Sequence, residues 1–350
     1  MRTHFGNPQP LEYDAVIIGA GPGGLHCGQI LARNGVRVLI LEKNEIIGPK
    51  VCAGGITWKG LIERIPPELI ERSFYCQNVT TRLQQVKIQS AHPIIATINR
   101  QRLGQFMAES TLSAGADIIT GARAVQIEEK SITYRYKKKN RKVSFDYLVG
   151  ADGSLSTVRE TLKLPADNFG IGINYTLPQV VNDMEWHFDT GKFGSGYTWI
   201  FPHSESVSVG AYVSMPSFRA SQLNRHLVQW LTDKNYILSG IRPKAQKISC
   251  DFRGWKFGNR FLIGDAAGLA SPLTGEGIYP AFVSAEAAAH SIIDNAHESA
   301  ALKKLLNKHK KHSTMHRLAC RHNMVAFFLS EISALLLRYR LISFNSFEMA

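Results

Sequence analysis

Short apolar runs punctuated by glycine dominate the first part of the chain. Asp14–Gly24 (DAVIIGAGPGG) reads as a buried strand, a tight glycine turn and a helix start, and Leu25–Gly35 (LHCGQILARNG) continues the helix until a glycine stops it. Val36–Lys43 (VRVLILEK) is a second continuous apolar strand, which completes a βαβ unit of about thirty residues. A Gly-rich turn at Pro49–Gly55 precedes a helical patch around Leu61–Ile70 and two strand-like runs, Val79–Ile88 and Pro93–Ile98. A helix over about Arg100–Ala114, short strands near Ala122 and Ile132, and a strand at Phe145–Val149 follow. Between Gly170 and Val213 the pattern changes to short alternating strands with aromatics, which predicts an antiparallel sheet. Arg260–Gly268 (RFLIGDAAG) returns to a buried strand, followed by a loop and a helix over Ile278–Ala296. The run Lys137–Lys139 suits a solvated hairpin tip, and there is no internal repeat.

Gly19, Gly21 and Gly24 form GxGxxG directly after one strand and before a helix. Gly19 suits the tight turn, Gly21 lets a pyrophosphate approach the backbone, Gly24 lets helix and strand pack closely, and the helix N-terminus attracts negative charge. Glu42 ends the next strand eighteen residues after Gly24, where a carboxylate accepts ribose hydroxyls. In that context the glycines signal dinucleotide binding, although they do not separate FAD from NAD.

Composition adds two constraints. At 350 residues, with 44% hydrophobic and 20% charged, the chain fits two ordinary globular domains and not a disordered one. Cys27, Cys52, Cys76, Cys250 and Cys320 are odd in number and scattered, with no CxxC or metal-like spacing, so a reduced, cytoplasmic protein is expected. The N-terminus lacks the apolar core of a signal peptide, and no run of about 18 apolar residues predicts a membrane span. The net charge of +13 is uneven: residues 301–350 carry nine Lys or Arg against two Glu. Nucleic-acid binding, which such basicity suggests, lacks a recognisable module. His309, His312 and His316 share a helical face but are interleaved with lysines and have no acidic or cysteine partner, so they predict a basic surface and no metal site.

Gly150–Ser154 (GADGS) and Leu262–Ile278 (LIGDAAGLASPLTGEGI) resemble the DG motif and the C-terminal GD motif of the hydroxylase-like flavoproteins. The resemblance implies FAD, with Asp265 on the ribityl hydroxyls and Gly275, Glu276 and Gly277 near the isoalloxazine. Asp152 and the trailing Arg159 match the DG motif, and Arg100 in RQRLGQFM falls where the family places a cofactor-contacting arginine, with Gly104 replacing the usual acidic residue. Asp265 also reads as a helix N-cap before Ala266. Neither a second GxGxxG nor a CxxxxC pair occurs, which argues against the disulfide reductases; NADPH or a reduced electron carrier would serve as a transient donor.

Two further matches resemble the geranylgeranyl reductase family: Ser271–Ala289 (SPLTGEGIYPAFVSAEAAA) and Tyr197–Pro202 (YTWIFP, the family's YxWxFP). The resemblance reaches from about Asp14 to His290. Tyr197, Trp199 and Phe201 alternate along a strand and share one face, either the wall of a pocket for an isoprenoid chain or plain core. Lys50–Thr57 (KVCAGGIT) resembles the family's cysteine-glycine loop over the flavin, with CAGG here for CGG. The implied activity is hydride transfer from reduced flavin to an alkene carbon, with a proton added to its neighbour. Cys52 is the first candidate for orienting the alkene or relaying the proton and Tyr197 the second; a buried, inert Cys52 is the alternative. A flavin monooxygenase of the aromatic hydroxylase type would share the cofactor motifs. The non-enzymatic alternative is a membrane-docked flavin-binding protein.

The fold class expected is α/β: a Rossmann-like FAD-binding domain, discontinuous over residues 1–60, 97–165 and 250–300, an antiparallel-sheet substrate domain over 61–96 and 166–249, and a basic helical segment over 301–350. In that last segment Lys303, Lys304, Lys308, Lys310, Lys311, Arg317 and Arg321 precede a largely apolar run, Met324–Ile342. These helices either lie on an anionic membrane or cap the substrate domain, and Glu331, Arg338 and Arg340 argue against crossing the bilayer.

Overall fold

The computed structural model describes residues 11–57, 64–214 and 219–350. Residues 1–10 of the N-terminus and the expected domain boundary at residues 60 and 61 lie outside them. So does the start of the helical patch expected at Leu61–Ile70; its end is a single 3-10 turn, Pro67–Leu69, that leads into a strand, Ile70–Phe74.

The central sheet runs in the order Lys256–Phe257, Arg260–Leu262, Lys139–Gly150, Leu11–Ile18, Val38–Leu41, Asp117–Ile119, and the middle strands pair in parallel. Alternate side chains of the first strand enter two different cores. Ala15 and Ile17 pack under the helices Pro22–Arg33, Arg100–Ser113 and Ile278–Ile293, whereas Val16 and Ile18 pack under a β-extension built from Arg123–Ile127, Ser131–Tyr136 and the long Lys139–Gly150 strand. Both faces are covered, which is why these strands read as unbroken apolar runs. Lys137 and Lys138, both with positive φ, form the expected hairpin tip between Ser131–Tyr136 and Lys139–Gly150.

The second sheet has seven strands, in the order Lys244–Ser249, Phe169–Leu177, Val207–Ser214, Tyr197–Pro202, Glu185–His187, Cys76–Thr80, Gln85–Gln89. All neighbours are antiparallel except Glu185–His187 and Cys76–Thr80. One face packs on the helix Ala220–Asp233 through Leu223, Leu227, Trp230 and Leu231; the other carries Tyr197, Trp199, Phe201 and Tyr212. A three-stranded sheet of Gly55–Thr57, Ile95–Ile98 and Ile70–Phe74 lies between the two large sheets in the chain path. The observed fold is the expected α/β architecture with antiparallel sheets and C-terminal helices.

Two local expectations are corrected. Val79–Ile88 is not one strand but a hairpin whose turn is closed by Thr81 N donating to Gln84 O at 2.8 Å. The carboxylate of Glu331, from the helix Asn323–Arg338, holds that turn by accepting from Thr81 Oγ1 (2.8 Å) and Leu83 N (3.1 Å). The histidines are not a basic surface either. His309 and His312 are 6% and 3% exposed on the inner side of the helix Ala300–Arg321, while Lys303, Lys304, Lys310 and Lys311 point outward. Burial lowers the pKa of all three histidines, that of His312 to about 4, and the His312 ring meets Ser271 Oγ at 2.9 Å. They are neutral packing groups near pH 7.

Candidate active site

The parallel strands Leu11–Ile18, Lys139–Gly150 and Arg260–Leu262 all end at the same edge, and there the chain passes into the turns that carry Gly19, Ala151 and Asp265. A cavity of about 340 Å³ opens at that edge and continues along the aromatic face of the second sheet to the C-terminal helices. Crevices beyond the carboxyl ends of parallel strands are where open α/β sheets bind ligands.

The three glycines of the first turn are not equivalent. Gly19 has φ +106°, and a Cβ there would stand 2.4 Å from the Ala151 carbonyl oxygen; a Cβ on Gly24 would stand 2.0 Å from the carbonyl oxygen of Gly19. Both are glycine because backbone passes against backbone. Gly21 differs: a Cβ would meet nothing within 4 Å, and the residue faces the cavity. The helix behind it starts at Pro22 with no side-chain cap, so its first N–H groups are directed at that open space without a side-chain acceptor. Glu42 is buried and braces the turn, accepting from Ala20 N (2.8 Å), Asn44 N (2.9 Å) and Asn44 Nδ2 (2.8 Å).

Asp265 lines the cavity and accepts from Lys50 Nζ (3.0 Å) and Ser154 Oγ (3.3 Å). It is not an N-cap: it sits inside a 3-10 turn, Gly264–Ala266, whose cap is Ile263. A Cβ on Gly277 would stand 2.9 Å from Asp265 Oδ1, so that glycine makes room for the carboxylate. Gly275, with φ +69°, packs on the Tyr212 ring, and Gly275, Glu276 and Gly277 all line the cavity. Asp152 is placed differently. Its Oδ2 accepts from Thr157 N (2.6 Å) and Thr157 Oγ1 (2.8 Å), burial raises its pKa, and its neighbours Ala151 and Gly153, not Asp152 itself, reach the cavity wall. Arg159 is buried away from the cavity, bonded to the carbonyls of Pro165, Ala266 and Asp251.

Tyr197, Trp199 and Phe201 all reach the cavity and belong to one aromatic cluster, with the Trp186 ring centroid 4.7 Å from Tyr197 and 5.2 Å from Phe201. The Tyr197 hydroxyl donates to the Thr274 carbonyl, and burial raises its pKa far above the ordinary phenol value. Cys52 also lines the cavity, half-buried, its Sγ accepting from Gly54 N at 3.4 Å.

The profile of the FAD binding domain family matches residues 12–236. The chain belongs to that family. The digeranylgeranylglycerophospholipid reductase 2 of Methanothermobacter thermautotrophicus is 28% identical over 297 residues, 77% of this chain and 74% of that one. The geranylgeranyl diphosphate reductase of Rhodobacter capsulatus is 27% identical over 314 residues, 80% of this chain and 75% of that one. Among solved structures, a geranylgeranyl bacteriochlorophyll reductase-like protein from Thermoplasma acidophilum superposes with a TM-score of 0.81 over 97% of this chain and 95% of that one, at 19% identity. The protein is an FAD-dependent oxidoreductase.

The residues present fit FAD on one independent observation. Arg100 lines the cavity at the head of the helix Arg100–Ser113, and its Nε and Nη1 are buried with no hydrogen-bond partner. A guanidinium desolvated without an acceptor is costly, and an anionic cofactor removes that cost. Gly104 of the same helix, which departs from the family pattern, is explained by packing: a Cβ there would stand 2.4 Å from the Cα of Gly48. Sequence reasoning missed Lys50, Trp186 and His203. The last follows YTWIFP directly, so its place beside the aromatic strand was open to reading.

Glu276 is half-buried at the cavity wall, and desolvation pushes its carboxyl pKa up to about 7 against the opposing effects of a 2.8 Å hydrogen bond from Met349 N and the nearby Lys308 charge. Because the folded pKa is raised, the stability this group contributes is complete below the ordinary carboxylate pKa and is lost as pH rises through about 7. Glu276→Gln is therefore expected to gain on the wild type, by on the order of 3 kcal/mol, as pH rises across that window. Urea melts of both proteins at acidic and mildly alkaline pH check it; a constant difference between them would remove Glu276 as a proton-holding group.

Proposed function

We propose that the enzyme reduces carbon–carbon double bonds of an isoprenoid chain lying along the Tyr197–Phe201 face. The observation that carries this reading is the continuity of the cavity: Gly21, Arg100 and Asp265 at one end and Tyr197, Trp199 and Phe201 at the other line the same space. The names of the relatives support a geranylgeranyl-type substrate. In this reading Gly21 and the helix start hold the pyrophosphate, Arg100 adds its charge, Asp265 accepts from the ribityl chain, and Gly275–Gly277 lie beside the ring. Asp152 acts indirectly, by shaping the Ala151–Gly153 turn, and Glu42 reaches the ribose with the lone pairs its bracing bonds leave open. Bound FAD supplies the two-electron chemistry, with NADPH or a reduced carrier as the transient donor. The chain supplies orientation: the aromatic wall and the C-terminal helices exclude water and set the alkene, Cys52 lies along its path, and the Glu276 carboxyl holds a proton near neutral pH. Tyr197, with its hydroxyl committed to Thr274 and its pKa raised, serves as wall and not as acid.

Mass spectrometry of polyisoprenoid lipids incubated with the reduced enzyme tests this. The expected product gains two hydrogens per double bond; a product heavier by one oxygen would instead make the enzyme a monooxygenase.

The substrate's source in this reading is an anionic membrane. Among the described residues no helix is long and apolar enough to cross a bilayer. The helix Asn323–Arg338 turns Ala334 and Leu337 inward to the cavity and to the Gln85–Gln89 strand, yet Met324, Phe328, Ile332 and Leu335 form an exposed apolar stripe that Tyr339 continues just beyond its end. The neighbouring helix exposes Lys303, Lys304, Lys310, Lys311, Arg317 and Arg321. Cations at about 1 kcal/mol each beside an apolar stripe suit an interface with anionic lipid. The intact protein is expected to sediment with anionic vesicles at low salt and to be released at high salt; retention in the supernatant would overturn this docking.

A further inference from the structure

His203 follows the aromatic strand and meets the cysteine loop. Its Nε2 stands 3.0 Å from the Ala53 carbonyl oxygen and its Nδ1 2.5 Å from Glu71 Oε2, on the strand Ile70–Phe74. Both partners are acceptors only. The ring therefore spans the gap between loop and strand, with one nitrogen facing each acceptor. Glu71 is matched to it: the hydrogen bond from His203 is the first cause holding its carboxyl below the usual carboxylate range, and Ser204 Oγ donates to its other oxygen at 3.3 Å. The two side chains are 13% and 12% exposed, which weakens solvent screening of the pair.

The loop is fitted to this ring. Gly54 has φ +84°, and a Cβ there would stand 2.5 Å from His203 Cε1, so only glycine lets the backbone lie flat on the imidazole. From that point Gly54 N reaches back to Cys52 Sγ at 3.4 Å, and the Gly54 carbonyl accepts from Ile98 N at 3.0 Å. Remove the His203 contact, and the Ala53 carbonyl between these two anchors loses the partner seen here.

We infer that His203, held by Glu71, is a positioning residue that fixes the Cys52 loop against the cavity. It acts on whatever the cavity holds through Ala53 and Cys52, so the inference does not depend on which double bond, if any, is reduced. Arg102 also acts on Glu71 and adds to the lowering of its carboxyl. Without the ring, Ala53 and Glu71 lose the group that joins them, and the loop is released.

Hydrogen exchange followed by mass spectrometry over residues 50–57 of the intact, FAD-loaded chain tests this, with residues 38–41 of the central sheet as the internal reference. In the wild type, exchange in this loop is expected to be slow at neutral pH. His203→Ala should exchange at least tenfold faster in this loop at neutral pH, with the reference unchanged. Glu71→Gln keeps the side-chain shape and removes the charge that holds the ring, so its loop should also exchange faster than the wild type, by less than in His203→Ala. Should His203→Ala fold poorly, as a changed reference would reveal, the loop exchange of Glu71→Gln alone decides. Loop protection equal to the wild type in His203→Ala, or in Glu71→Gln where that variant alone decides, would overturn the assignment.

Discussion

Gly21→Val is expected to give a folded protein that has lost its FAD. The backbone at Gly21 is extended, at φ −76° and ψ 176°, which valine adopts without strain, and its Cβ would meet nothing within 4 Å. The change in folding stability should therefore stay within about 0.5 kcal/mol. The isopropyl group, however, fills the space in front of the helix N-terminus, where a phosphate needs close approach to the backbone. A loss of at least a hundredfold in FAD affinity, about 2.7 kcal/mol, is expected. Flavin absorbance after gel filtration, beside a thermal melt, measures both. Gly24→Val is the contrasting case, because its Cβ would stand 2.0 Å from the Gly19 carbonyl oxygen, and it should fail to fold. A Gly21→Val protein with a full complement of FAD would refute the placement of the pyrophosphate.

Arg159→Met should cost stability and leave the cavity chemically unaltered. The guanidinium is 3% exposed, donates to the carbonyls of Pro165, Ala266 and Asp251, and lies 3.7 Å from the Asp251 carboxylate. Burial lowers its pKa, yet the Asp251 charge opposes that effect. Methionine fills much of the volume but leaves the carbonyls and the buried Asp251 without that partner, and such losses cost about 3–5 kcal/mol. Chemical denaturation of the purified variant measures this. A cost below about 1 kcal/mol would show that water replaces the guanidinium at no penalty.

The parts of the fold that were legible in the sequence are those specified by near neighbours. The glycine turn is one: Gly19 and Gly24 are needed for contacts made within or beside the turn, and the flanking strands are apolar on both faces. The aromatic strand is another, because alternation alone puts Tyr197, Trp199 and Phe201 on one face. Where a distant segment decides, the sequence is silent. The stretch Thr81–Gln84 contains no Gly, Pro or Asn to announce a turn, and what holds it is Glu331, 250 positions away. His309 and His312 look basic among their lysine neighbours, but the inner face of their helix is chosen by Ser271, Phe252 and the rest of the core. The DG motif locates the turn at Ala151–Gly153 correctly, whereas the direction of the Asp152 carboxylate follows from Thr157. The raised pKa of Glu276 follows from desolvation where the C-terminal segment around Met349 packs over it, a contact between segments about seventy residues apart.

The outer wall of the cavity comes from the helix Asn323–Arg338, and that helix leans on the Cys76–Thr80 and Gln85–Gln89 hairpin through Glu331, Ala334 and Leu337. Such a closure between remote segments pays a large loop entropy and forms late. During synthesis both large sheets can be complete while this wall is still inside the ribosome. For that interval Tyr197, Trp199 and Phe201 lack part of their cover, and a nascent chain with an open aromatic face is a ready client for chaperones or for a second copy of itself. Growth temperature and expression rate should therefore govern the yield of this protein more strongly than the stability of its finished fold would suggest.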